Sequence, residues 1–184
     1  MDEVASSTTM HTTAQLGVLR CSHYLGDKTA VIEVATRLLD QADLQEDIRR
    51  EALYCRAKAY LQDNQYGLAV VDLTPIAKEV RTANGAEAKY LLADCYFHLG
   101  AMDMAEQEIM SFTQMQTSQQ YWLARSLILL SDINVERGDL FQAKQYLLAL
   151  QTNYRQQDDI QTMLITRLEH IAQQEQTEQK EDEL

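Results

Sequence analysis

Apolar residues recur three and four positions apart along most of the chain, the spacing of one face of an α-helix. The pattern predicts helices near 11–25, 28–41, 45–63, 66–82, 86–99, 102–116, 118–137, 140–153 and 158–177. In the last of these, Ile160, Leu164, Leu168 and Ile171 form one stripe. Two punctuation marks interrupt the pattern. Pro75 lies inside 66–82, where it kinks the helix or splits it with Thr74 as a new N-cap. Thr-Ala-Asn-Gly at 82–85 is a break, with Gly85 suited to a helix C-cap.

Within this helical pattern, small residues pair at a fixed interval. Ala57 and Ala69, Ala93 and Ala105, and Ser131 and Ala143 each stand twelve apart. A turn falls at the same place inside each pair, at Asn64, Gly100 and Gly138. Tyr60 and Tyr96 come three residues after the first small one; Asn134 takes that slot in the third copy. Apolar residues come four and seven after the second: Leu73 and Ile76, Ile109 and Phe112, Leu147 and Leu150. Copies spaced 36 and 38 residues apart are a repeat. Two antiparallel helices approach most closely where only Ala, Gly or Ser fits on both, so each small pair is the two halves of one contact. A degenerate copy lies upstream, with a turn at Gly26-Asp27 and Leu19 and Val31 in place of the small pair.

This arrangement of small residues, aromatic and turn glycine resembles the tetratricopeptide repeat (TPR). The resemblance implies an all-α, right-handed superhelical solenoid of antiparallel helix pairs. Its organisation would be a mobile segment 1–10 and an array over 11–157, with the degenerate copy at 11–44 and further copies at 50–82, 86–116 and 122–155. A C-terminal capping helix at 158–177 and a mobile acidic tail at 178–184 would complete it. More narrowly, the stretch from Gly85 to Ile109 and the next copy from Tyr121 resemble the C-terminal part of large bacterial envelope-associated TPR proteins related to the Tol-Pal coordinator family.

Composition agrees with the helical reading: one proline and six glycines in 184 residues are too few for a turn-rich β-protein. The net charge of −12 and the lack of any basic cluster beyond Arg49-Arg50 argue against nucleic acid and anionic membranes as partners. The first residues lack the basic start and apolar core of a secretory signal. The expectation is a cytoplasmic chain, or a periplasmic or envelope-associated one if it is a fragment of an exported protein. The closing EDEL is then an acidic helix end, because nothing directs the chain to where a retention signal is read.

Candidate chemistry is sparse. Cys21, Cys55 and Cys95 are odd in number and lack zinc-ligand spacing; Cys21 and Cys95 share one repeat slot, which predicts packing. No metal or cofactor is expected. Asp94 and His98 are four apart on one helix face, half of a general base without a nucleophile placed by the sequence. A small hydrolase using that pair is therefore the weakest reading, and the chain is expected not to be an enzyme. The TPR resemblance instead implies a concave groove lined by first helices. Its register gives Glu51, Tyr54, Lys58 and Leu61, then Glu87, Tyr90, Asp94 and Phe97, then Arg125, Ile128, Asp132 and Val135. Tyr54, Lys58, Tyr90, Asp94, Phe97 and Asp132 are the candidate binding residues: aromatic anchors in a ring of acids. They suit a protein or peptide with apolar anchors and basic residues. The expected function is a protein–protein interaction scaffold. The alternative is an architectural segment of a longer TPR solenoid, marked by an exposed apolar face on helix 11–25.

Overall fold

A computed structural model describes residues 2–182, with side chains from Met10 to Glu178. The chain divides into two compact units, the first ending at Glu79 and the second starting at Val80. The first holds α1 (Asp2–Leu25), α2 (Lys28–Leu39), α3 (Glu46–Gln62) and α4 (Tyr66–Ile76). The second holds α5 (Ala83–His98), α6 (Met102–Gln114), α7 (Gln120–Glu136), α8 (Leu140–Asn153) and α9 (Ile160–Asp182). Among the described residues there is no strand.

The same turn joins α1 to α2, α3 to α4, α5 to α6 and α7 to α8. Gly26, Asn64, Gly100 and Gly138 have positive φ of 72°, 54°, 73° and 78°. In each turn the left-handed residue donates its N–H to the carbonyl three back, and the next residue donates to the carbonyl five back. Gly100 bonds Phe97 and Ala101 bonds Tyr96, both at 2.9 Å; Gly138 with Val135 and Asp139 with Asn134 repeat those distances. This double bond satisfies carbonyls that a helix end leaves open, and it turns the chain back on itself. Glycine adopts that conformation without penalty.

The small pairs lie where the turned-back helices meet. Ala57, Ala69, Ala93, Ala105, Ser131 and Ala143 are all at most 1% exposed. Ser131 Oγ donates to the Ala143 carbonyl at 3.0 Å, so the third pair is a direct contact. The apolar residues beyond each pair, from Leu73 and Ile76 to Leu147 and Leu150, are buried. Successive hairpins then stack: α1 packs on α3 and α2 on α3 in the first unit, and α5 and α6 on α7 in the second. A buried ion pair fastens the first stack, where Arg56 of α3 grips Asp72 of α4 with two bonds of 2.8 Å and reaches Thr36 of α2 at 2.9 Å. In the second unit α9 packs on α7 and α8, burying Ile160, Leu164 and Ile171.

Four local expectations are corrected. The helix expected at 66–82 ends at Ile76, one residue past Pro75; Pro75 has no N–H for the Val71 carbonyl, and Ala77 caps the end by donating to the Leu73 carbonyl at 2.9 Å. Thr74 is no N-cap; its hydroxyl donates to the Val70 carbonyl within the same helix. Gly85 is not a C-cap but sits in the first turn of α5, where its amide donates to Oγ1 of the true cap, Thr82. The third concerns the N-terminus: α1 begins at Asp2, well before residue 11, although side chains 1–9 lie outside the described residues. The expected capping helix at 158–177 also runs further than expected, since α9 continues to Asp182 through most of the expected tail at 178–184; residues 183 and 184 lie outside the described residues.

Candidate binding groove

In the second unit, α5, α7 and α9 lie side by side and leave a groove between them. It comprises two adjoining cavities of about 220 and 250 Å³. The first is lined by Tyr90, Asp94 and Phe97 of α5, Arg125, Ile128 and Asp132 of α7, and Met163 and Arg167 of α9. The second shares Phe97, Asp132 and Arg167 and extends to Val135, Glu136 and His170. The α5 and α7 residues keep spacings of three and four, which bring one stripe of each helix to the groove. Each cavity taken singly is smaller than the roughly 300 Å³ at which small-molecule sites begin.

Four of the six candidate residues, Tyr90, Asp94, Phe97 and Asp132, thus share one groove. Their roles differ from expectation. Tyr90 is 9% exposed, stacked on Trp122 at 5.7 Å, so it is a wall of the groove rather than a free anchor. Arg125 lies 4.9 Å over its ring and donates to the hydroxyls of Tyr90 and Tyr121, each at 3.0 Å. Phe97 is half-buried and borders both cavities. Tyr54 and Lys58 belong to the first unit, on α3. There Tyr54 packs against the core formed with α1 and α2, and the Lys58 ammonium sits 5.9 Å from its ring.

Two acids of the expected ring are already held by arginines. Asp132 accepts two bonds from Arg167, at 2.7 and 2.8 Å, and Glu51 accepts two from Arg20, at 2.6 and 2.7 Å. Asp94 differs. Burial holds its carboxyl above the usual aspartate range, opposed by His98 and Arg125 and reinforced by Asp132. The His98 Nε2 stands 3.7 Å away, and no arginine bonds Asp94 among the described residues. No Ser, Thr or Cys lines the cavity that holds this pair; Ser131, at the adjoining cavity, is buried and donates its hydroxyl to the Ala143 carbonyl.

Two groove residues, Arg167 and His170, escape a sequence reading that treats the last helix only as a cap. The signal is present: Arg167 stands three residues after Leu164 on the same stripe. Cys21 is exposed rather than packed, while burial pushes the Cys95 thiol up to about 12 and Cys55 to about 11. Among the described residues no group of three or more His, Cys, Asp or Glu is placed to hold a metal ion. No described helix is long and apolar enough to cross a membrane. The chain matches no family model, no curated protein and no solved structure.

Proposed function

We propose that this chain is a TPR-like interaction scaffold, without enzymatic activity, whose groove on α5, α7 and α9 receives side chains from an extended protein segment. Support for the TPR-like reading comes from the four matching turns, the buried small pairs and the stacking of successive first helices. The observation that carries the binding reading is Asp94. A carboxylate taken partly out of water is penalised in the free protein, and here burial outweighs the help of the neighbouring His98 and of Arg125. A ligand ammonium or guanidinium would relieve that penalty, and Phe97 next to it offers an apolar contact. The ligand therefore pairs a basic residue with an apolar anchor. Asp132 contributes less, because Arg167 already neutralises it.

Selection from a displayed library of random peptides tests this directly. Enriched peptides are expected to carry Lys or Arg beside an apolar residue. Asp94→Asn should weaken them by at least about tenfold, equivalent to about 1.4 kcal/mol, and Phe97→Ala should weaken them too. Peptides whose affinity ignores both substitutions, or a selection that enriches nothing, would reject the groove as a binding surface.

A further inference from the structure

The groove does not explain the exposed apolar side of α1, the feature by which the architectural alternative was to be recognised. Met10, Val18, Tyr24 and Leu25 are 70%, 51%, 90% and 78% exposed, and Ala14, Gly17 and Cys21 between them are also exposed. All seven fall on one face of the helix. The same repeat slots are covered elsewhere. Ala14, Gly17 and Cys21 correspond to Ala52, Cys55 and Ala59 of α3, 38 residues on, which are buried in the unit where α1 packs on α3. They correspond also to Ser126, Leu129 and Ile133 of α7, buried where α5 packs on α7. Among the described residues, the face is thus a stacking face without a neighbour. Gly17 adds an independent sign: glycine inside a helix costs about 1 kcal/mol relative to alanine. Yet a Cβ there would meet nothing within 4 Å, so packing within the chain gives no reason for it.

We infer that this face pairs with the same face of a second copy, α1 against α1, antiparallel. The intervals between Met10, Ala14, Gly17, Val18, Cys21 and Leu25 are 4, 3, 1, 3 and 4, the same in both directions. A two-fold axis therefore sets Met10 against Leu25, Ala14 against Cys21 and Gly17 against Val18. Large residues meet at the ends and small ones at the crossing, as a self-complementary interface requires. Charge along this face does not oppose that occupant. The chain has 28 acidic residues and a net charge of −12, yet none of the acids lies between 4 and 26. Two copies can meet there without opposing carboxylates. The stripe is about 22 Å long at 1.5 Å per residue, and it buries less than the roughly 800 Å² per partner of a standard interface. The dimer is accordingly weak and concentration-dependent.

Sedimentation equilibrium of the full chain, from low to high micromolar concentration, tests the pairing. The mass is expected to rise from 21.1 kDa towards twice that value. Val18→Glu should hold it at the monomer without lowering the melting temperature. Gly17→Ala should move the two readouts in opposite directions, raising the melting temperature of the monomer while weakening association several-fold. Under mild oxidation Ala14→Cys should give a disulfide-linked dimer through Cys21 of the second copy, while Cys55 and Cys95 are shielded by burial. A monomer at every concentration overturns the assignment and leaves the face to a stacked helical hairpin, as the architectural alternative has it. A dimer that survives Val18→Glu overturns it as well, and a dimer that the Ala14→Cys variant does not link overturns the antiparallel register.

Discussion

Under the proposed function, Asp94 would serve binding at the expense of stability. Its raised pKa means that the folded state holds the proton more tightly than the unfolded chain does. An acid shifted upward contributes stability below its unfolded pKa and loses it as pH rises through the folded value. At neutral pH the ionised group is therefore a liability. Asp94→Asn should raise the melting temperature at pH 7, and the gain should shrink as pH falls through the carboxylate range. Thermal scans across pH check this; a variant less stable at pH 7 would mean that His98 already compensates the charge. The same substitution is expected to weaken ligand binding, so stability and affinity should move in opposite directions. Asp72 is the contrasting case, a more deeply buried carboxylate held by two bonds from Arg56.

At the scale of elements, the hairpin turn is the unit of construction. Four turns share one hydrogen-bond pattern, yet one of them carries asparagine at the left-handed position. At Gly100 a Cβ would meet nothing within 4 Å, so Gly100→Ala isolates the backbone term. It is expected to cost about 1–2 kcal/mol, the penalty of an L-residue in that conformation. Asn64→Gly should be neutral or stabilising by a few tenths of a kcal/mol, since glycine adopts the same left-handed conformation without the side-chain penalty. Denaturant unfolding of the two variants measures both; equal and negligible effects would mean that the turns adapt rather than dictate. The turns were legible in the sequence because glycine and asparagine mark left-handed positions locally. The end of α4 was less so: Pro75 announces a disturbance, but whether a helix stops, kinks or restarts there depends on the residues downstream of it. Gly85 misleads for a related reason, since Thr82 claims the neighbouring cap and draws the glycine into α5.

For the molecule as a whole, the helical content and the pairing of small residues could be read from spacing alone, whereas the electrostatics of the groove could not. Arg167 and Asp132 are 35 residues apart, and Arg20 and Glu51 are 31 apart. Such partners meet only once helices are stacked, so a stripe of acids in the sequence overstates the negative charge of the surface. The aromatic positions were half legible. Spacing brought Tyr90 and Phe97 to one face, but only packing reveals that Tyr90 is a wall and Phe97 a border of both cavities. The central claim is that α5, α7 and α9 together form the working surface. Hydrogen exchange of the full chain, free and with a peptide from the selection bound, tests it most directly. The account predicts slowed exchange in α5, α7 and α9, with the rest of the chain unchanged. Protection confined to α1, or to the outer helices α6 and α8, would contradict it.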